Sequence, residues 1–321
     1  MLRIVPLADD RAAFEIDRAA FEIDRAAAEA DTPDIPIGTF ESYRARLRHP
    51  WPGNQLEHHL AIRDGVPAGH LELALPQLDN LANVIVELSV HPEHRRRGVG
   101  RALLAYAVER SRALGRRHLI SPAADRVSAG FAKAVGAVAC LAEIHNRLEI
   151  GEIRDTATAD GYRTVQWTGL GPAEFLDDLA YLDSRLNLDA PVGDLVLEAE
   201  KVDAARIRAT EEALRLRRRT TFHTGAVHEA GGRLVAWTVI TAPDDTVGHA
   251  WQGITIVDPA HRGHGLGLAI KNQNLRYAVS NRPTLRVIDT FNAAENTHML
   301  RINRQMGFRK VDDVTQWQLT V

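Results

Sequence analysis

Apolar positions in the first half of the chain switch between the two-residue period of a strand and the longer period of a helix. Leu2 to Val5 reads as a strand, and from Asp9 the spacing is helical. Arg11 to Asp17 recurs at once as Arg18 to Asp24, which predicts one extended surface helix with Phe14 and Phe21 turned to the core. Two copies are too few to define a coiled coil. A short helix over Phe40 to Leu47 ends ahead of Pro50-Trp51-Pro52. Leu56 to Ile62 and Pro67 to Leu75 read as strands joined at Arg63-Asp64-Gly65-Val66, followed by a strand over Asn83 to Val90. In the helix Arg101 to Ala113 the spacing sends Leu104 and Val108 to the sheet and leaves Arg101, Glu109 and Arg110 to solvent. A strand over Arg117 to Ile120, a helix over Ala129 to Val135 and a strand over Val138 to Ile144 complete this half.

The polar 150s, with Gly151 and Gly161, read as a linker, after which the order repeats. The predicted elements are a strand at Tyr162 to Trp167, a helix from Pro172 to Leu186, a long loop from Asn187 to Ala199 and a basic helix from Asp203 to Arg218. Thr221 to His228 and Arg233 to Ile240 pair across Glu229-Ala230-Gly231-Gly232. A strand at His249 to Val257, a helix at Leu268 to Ser280, a strand at Thr284 to Asp289, a helix at Ala293 to Asn303 and a strand at Phe308 to Leu319 follow. Duplication accounts for the matching orders, and the expected domains are residues 1–152 and 160–321, each α/β with a mixed sheet.

Length and composition fit that plan. A chain of 321 residues, 45% hydrophobic, can bury two cores. A net charge of −3 gives no general attraction to nucleic acid or anionic membrane. No apolar run has the length of a membrane span, and the first residues lack a basic-then-apolar leader, so a soluble cytoplasmic protein is expected. The single cysteine, Cys140, excludes an intrachain disulfide and a thiolate-rich metal site. His58 and His59 do not have metal-ligand spacing, and no bound metal is expected.

The chemistry concentrates where the repeat is strongest. Val90-His91-Pro92-Glu93-His94-Arg95-Arg96-Arg97-Gly98-Val99-Gly100-Arg101 returns 167 residues later as Val257-Asp258-Pro259-Ala260-His261-Arg262-Gly263-His264-Gly265-Leu266-Gly267-Leu268. Each copy follows a strand and opens a helix. Glycines there remove the Cβ atoms that would keep a ligand from the amides, and the helix N-terminus adds partial positive charge. Such a turn cradles phosphate, with Arg95, Arg96, Arg97 and Arg262 as longer-range cations. The spacing fits neither a nucleoside triphosphate loop nor a dinucleotide fingerprint.

The Arg-x-x-Gly-x-Gly pattern resembles the acyl-coenzyme A signature of the GCN5-related N-acetyltransferase (GNAT) superfamily, and the resemblance covers nearly the whole chain as two tandem domains. It implies a splayed central strand ending at Val90 and at Val257. It implies a coenzyme diphosphate on the turns Arg95 to Arg101 and Arg262 to Leu268, and acetyl-coenzyme A or a related acyl-coenzyme A as co-substrate. The family's closing motif is matched by Asn296, Gly307 and Phe308, with Asn303 where a tyrosine protonates the departing thiolate; Ala132 holds that place in the first half. The two-domain plan is similar to that of the mycothiol synthase family, in which the second domain carries catalysis.

Among the polar residues, Glu87 lies three residues before Val90, where the family often supplies a base. Its second-half counterpart is Ile254, near Gln252 and Thr255. His249, Asp289 and Glu295 are reserve proton-path candidates, Asn292 is expected as a helix cap, and Asn292, Asn296 and Asn303 are candidate coenzyme contacts. The expected function is acyl transfer to a small-molecule primary amine in the second domain of a monomer or homodimer. The alternatives are protein or peptide N-acetylation, and coenzyme-responsive binding without turnover.

Overall fold

In the computed structural model, residues 1–6, 13–123 and 126–321 are described. The helix start expected from Asp9 falls outside them as far as Ala12, and so does the side chain of Phe14. The chain forms two compact units that do not follow a single cut: unit 1 holds Met1–Ala142, Gly193–Glu198 and Val314–Val321, and unit 2 holds Glu143–Val192 and Ala199–Asp313.

Unit 1 starts with β1 (Leu2–Pro6), α1 (Ala13–Asp31), α2 (Phe40–Arg48), β2 (Asn54–Arg63), β3 (Val66–Pro76) and β4 (Asn83–Val90). It continues with α3 (Val99–Ala113), β5 (His118–Ala123), α4 (Arg126–Ala134) and the start of β6 (Val138–Glu149). β1 to β4 are antiparallel neighbours, and β5 lies parallel to β4. On one face Ala20 and Ile23 of α1 and Tyr43 of α2 pack against Leu60 and Ile62 of β2. On the other, Val99, Leu103 and Ala107 of α3 pack against Leu71, Leu73, Val84 and Val86. The helix is thus turned about one residue from the expected orientation: small Ala107 and Ser111 face the sheet, while Leu104 and Val108 flank the core. Arg110 is not left to water, because it clamps Glu57 with two hydrogen bonds at 2.8 and 2.6 Å.

Unit 2 contains β7 (Tyr162–Thr168), α5 (Leu176–Ser184), α6 (Leu186–Asp189), α7 (Ala204–Leu216), β8 (Arg219–His228), β9 (Leu234–Pro243) and β10 (His249–Val257). Then come α8 (Leu266–Asn281), β11 (Val287–Ala293), α9 (Thr297–Met306) and the start of β12 (Arg309–Thr320). Its strands run in the order β6-β11-β10-β9-β8-β7, with β10 and β11 parallel. Leu179 and Leu182 of α5 and Ile207 of α7 bury Trp167, Trp237 and Ile256 on one face; Leu275 and Ala278 of α8 bury Ile240, Ala250 and Ile288 on the other. The last strand–helix pair begins three to four residues later than expected, because Asn296 supplies the cap, its Oδ1 accepting from Met299 N at 3.1 Å. Asn292 is therefore a strand residue and caps nothing.

Each unit completes its sheet with a strand from the far half of the chain. Thr315 to Thr320 pair with Ala123 to His118 in unit 1, and Glu143 to Glu149 pair with Ala293 to Val287 in unit 2. Unit 1 also takes Gly193–Glu198, where Val196 N donates to Gln318 Oε1 (3.0 Å) and Asn83 Nδ2 donates to Val196 O (2.7 Å).

Candidate functional site

In both units the parallel strands part. β4 pairs with β5 only from Asn83–His118 to Ile85–Ile120, and β10 with β11 only from His249–Val287 to Trp251–Asp289. The longer strand of each pair runs on, to Val90 and to Val257, along an open edge whose peptide groups have no partner from the parallel neighbour. In β10 the departure is marked by a bulge between Gln252 and Thr255. The Gln252 amide is consumed there, donating to Val239 O at 2.8 Å and to Thr238 Oγ1 at 3.0 Å, so it is not free for proton transfer.

A single helical turn follows each strand, Pro92–His94 and Pro259–His261, and then the glycines. Gly98 and Gly265 cap α3 and α8 with φ of +83° and +73°, in the left-handed region that glycine enters without strain. Two residues earlier the copies differ: Gly263 has φ +87°, while Arg96 holds φ +60° with a side chain attached. The first intrahelical bonds run from Ala102 N to Gly98 O and from Ala269 N to Gly265 O, both 3.1 Å. That leaves the amides of Val99, Gly100 and Arg101, and of Leu266, Gly267 and Leu268, without helical acceptors, pointing outward at the helix start. A Cβ on Gly100 would lie 3.5 Å from Phe131, and one on Gly267 would lie 3.3 Å from Ile302, so the bare backbone keeps the helix start close to α4 and α9.

Two expected phosphate cations are otherwise engaged. Arg95 donates Nε to Val90 O (3.1 Å) and both terminal nitrogens to Asp31 (2.7 Å each). Arg262 repeats this with Nε to Val257 O (3.1 Å) and Nη2 to Asp189 (2.7 Å). The guanidinium groups therefore brace the strand end to the last residue of α1 in unit 1 and of α6 in unit 2, and their charge is spent on a carboxylate. Arg96, Arg97 and His264 stay exposed in the turns, Arg101 is exposed on the first turn of α3, and His264 lies 5.6 Å from the ring of Tyr162.

In unit 1 the parting strands enclose a cavity of about 830 Å³. It runs from the glycine turn (Gly98 to Arg101) past Val86, Leu88 and Val90 to Phe131, Ala132 and Ala137, and Ser89, Ala27 and Asp31 carry it through the gap to the α1 face. Glu87 lies between two of those lining residues. Its side chain is 60% exposed and sits 3.6 Å from Arg46. The protein crowded around this open recess desolvates the carboxyl and raises its pKa above the ordinary value, with Glu72 and Asp24 adding to the rise and Arg46 opposing it.

In unit 2 Asn303 is 1% exposed and donates Nδ2 to Asn292 Oδ1 at 2.7 Å, while its own Oδ1 is buried without a partner. An acceptor stranded at the parting of the strands fits a donor such as a pantetheine amide N–H, and the open strand edges and free helix-start amides fit the rest of an acyl-coenzyme A. Asn296 is committed to capping α9, and Glu295 is an exposed turn residue. His249 and Asp289 do come together, on the opposite face of the sheet from α8: Asp289 is fully buried and lies 2.8 Å from His249 Nε2, 3.1 Å from His145 Nε2 and 2.8 Å from Arg147 Nε. Burial alone would raise the Asp289 pKa; the hydrogen bonds of His145, His249 and Arg147 hold it well below the usual carboxylate range.

Sequence reasoning missed Asp183. At the end of α5, a helix that packs on β9 and β10, it is half-buried, and burial followed by the charge of Glu200 pushes it up to about 6 against the pull of Arg206. No local pattern separates it from the other acids of that helix. Lys271 of α8 was missed as well: it is 1% exposed, its Nζ lies 5.4 Å from the ring centre of Phe308, and burial brings it down to about 7.

Parted parallel strands leading into an amide-lined helix start, present once in each unit, define a tandem fold of the acyl-coenzyme A acyltransferase class. The chain belongs to the acetyltransferase (GNAT) family, which its residues 20–137 and 194–308 each match. It is 28% identical over 281 residues to a mycothiol acetyltransferase of Salinispora arenicola, covering 83% of this chain and 81% of the relative. It is 27% identical over 270 residues to that of Amycolatopsis mediterranei, covering 81% and 83%. Among solved structures, a tandem GNAT protein from the clavulanic acid biosynthesis pathway superposes with a TM-score of 0.85 at 30% identity over 100% of this chain and 98% of that one. A GCN5-related N-acetyltransferase from Sphaerobacter thermophilus shares the fold, with a TM-score of 0.68 at 18% identity over 99% and 95%.

Proposed function

We propose that the protein transfers an acetyl or short acyl group from acyl-coenzyme A to a small-molecule primary amine in the cytoplasm, with unit 1 holding a coenzyme and unit 2 carrying turnover. The observation behind the coenzyme is the unit 1 cavity joining the glycine turn to the parted strands. Turnover in unit 2 draws on Asp183, a half-buried carboxyl that is pushed up to about 6 and so is mostly ionised yet still basic at neutral pH. In the reaction the amine nitrogen bonds to the thioester carbonyl carbon and the C–S bond breaks. One amine proton passes to the base, and the thiolate leaves to be protonated by solvent, since Asn303 donates a hydrogen bond but no proton. A small acceptor is favoured over a peptide by the curated relatives, which are named for a small molecule, mycothiol.

Calorimetric titration of the whole chain with acetyl-coenzyme A tests the shared part, with Gly100→Glu and Gly267→Glu each placing a carboxylate in one turn. Thiol release over a panel of small amines then assigns turnover. Gly267→Glu is expected to abolish it; full turnover in that variant, or no coenzyme binding by the folded wild type, refutes the proposal. The absence of an acid at Asn303 and Ala132 also suits a coenzyme-responsive binding protein, a reading that multiple-turnover acylation would eliminate.

A further inference from the structure

Unit 2 fills a place that unit 1 leaves open. Phe308 follows Gly307, the left-handed residue that ends α9, and is buried among Leu148, Leu275 and Ile288, with Lys271 Nζ 5.4 Å from its ring centre. The matching residues of unit 1 are Ala137, which follows the left-handed Gly136, and Leu104. The cavity of about 830 Å³ reaches both. Ala132 lies on the same wall where unit 2 has Asn303, so α4 and the turn after it present methyl groups where unit 2 presents an amide and a ring.

Around those methyl groups the lining is hydrocarbon. Leu104 of α3 and Val135, just past α4, face Leu119 and Leu319, which stand opposite each other in the β5–β12 register. A second cavity, of about 600 Å³, adjoins this end and shares Leu104, Val135 and Leu319 with the first. Its wall continues down α3 past Ala105 and Val108 to Glu109 and Arg112. An apolar course therefore leads from the parted strands toward the surface between α3 and the end of α4. An acetyl group held at the gap leaves that course without an apolar occupant, whereas a linear alkyl chain on the same carbonyl matches its lining and covers it from water. A short dicarboxylic acyl group would bring its second carboxylate unpaired among Leu104, Leu119 and Leu319.

We propose that unit 1 selects an acyl-coenzyme A with an unbranched alkyl chain of medium length, held between α3 and the end of α4, while Phe308 and Lys271 restrict unit 2 to a short acyl group. The two units then hold different thioesters. This rests on the reading of unit 1 as a coenzyme site and adds to it the class of acyl group that the site prefers.

The test is calorimetry of the full-length Gly267→Glu chain, in which only the unit 1 turn is intact, with acetyl-, butanoyl- and octanoyl-coenzyme A and with octanoate. Burying one methylene tightens binding roughly three- to fourfold, so burial of two of the six that octanoyl adds to acetyl gives about tenfold. Affinity is expected to rise in that order by about tenfold or more overall, and octanoate to bind far more weakly than its thioester. Leu104→Lys, which gives unit 1 the residue of unit 2, should bring the octanoyl-to-acetyl affinity ratio down toward one. Should that variant fail to fold, Ala134→Trp, at an exposed position on the wall shared by the two cavities, should lower the same ratio by a smaller factor. Acetyl-coenzyme A binding with no gain for octanoyl, a gain that survives both variants, or octanoate binding as tightly as its thioester overturns the proposal and leaves the coenzyme site standing. No thioester bound by the folded Gly267→Glu chain removes the coenzyme reading of unit 1 and this proposal with it.

Discussion

Truncation after Asp313 probes the exchange of strands between the halves, because it removes Val314–Val321, the last strand of unit 1, from the end of the chain that otherwise builds unit 2. Trp317 and Val314 are 7% and 5% exposed, and Leu319 packs against the main core of unit 1. At roughly 1.5–3 kcal/mol per large apolar side chain, these three contribute about 5–9 kcal/mol, as an upper range. The whole stability of a domain is typically about 5–15 kcal/mol. Trp317 and Leu319 also line the coenzyme-sized cavity, so the loss falls on its wall as well. The truncated chain is expected to show an early unfolding transition in urea and to lose one acetyl-coenzyme A site by calorimetry, while the unit 2 transition persists. A synthetic peptide spanning residues 309–321 should restore the lost site. An unchanged unfolding profile with unchanged coenzyme stoichiometry would refute the exchange as a source of stability.

Ala137→Phe, which gives unit 1 the side chain that unit 2 carries as Phe308, should fill the cavity end and remove one coenzyme site per chain in a calorimetric titration. Arg95→Ala should destabilise unit 1 by about 1–3 kcal/mol in urea, with Asp31→Asn close behind, yet change acetyl-coenzyme A affinity by less than about threefold, since this guanidinium faces a carboxylate and not the turn amides. For Asp183, kcat/KM should rise with pH through about 6, and Asp183→Asn should abolish that limb. Because its folded pKa is raised from 3.8, the folded state binds the extra proton between 3.8 and about 6, so stability is highest below that window and declines as pH rises through it. The same Asp183→Asn variant should then be roughly 2–3 kcal/mol more stable at pH 8, measured by denaturation.

The strands that lead into the two turns were legible to the residue, whereas their parallel neighbours β5 and β11 were placed short of their true ends. Asn83–Val90 and His249–Val257 are apolar runs bounded by turn-forming residues, and local sequence determines such limits. Rotation of α3 was misread because Ala107 and Ser111, not the larger Leu104 and Val108, allow the helix to sit close on the sheet. The partners of β6 and β12 were hidden for a different reason: an antiparallel strand has the same alternation whichever neighbour it joins, so periodicity carries no address. The basic residues of the turns showed their charge but not their targets. Asp31 and Asp189 lie 64 and 73 residues from the arginines they hold, beyond any local pattern.

The two copies of the turn keep one arrangement and diverge around it. Arg95 and Arg262 reach the carbonyl five residues back with the same atom at the same distance, yet their carboxylates end unlike helices, the long α1 and the four-residue α6. A brace rebuilt on different partners therefore belongs with the strand end that leads into the turn, which it ties to a neighbouring helix in each unit. Beyond the turn the selection differs. Unit 1 places Leu104, Ala132 and Ala137 along its cavity, small or apolar groups that enclose a ligand and give it little to exchange with. The corresponding residues of unit 2 are Lys271, Asn303 and Phe308: a buried amine brought down to about 7 by its surroundings, an amide with an unanswered oxygen, and the ring beneath the amine. Apolar enclosure favours retention of a coenzyme, whereas polar groups with unmet hydrogen bonds favour a ligand whose own polarity changes during reaction. That contrast supports the proposal that unit 1 holds a coenzyme while unit 2 turns over, and it makes Lys271→Leu the substitution that should carry unit 2 toward unit 1 behaviour: tighter acetyl-coenzyme A binding by calorimetry with slower thiol release. Faster release in that variant would place the difference between the units elsewhere.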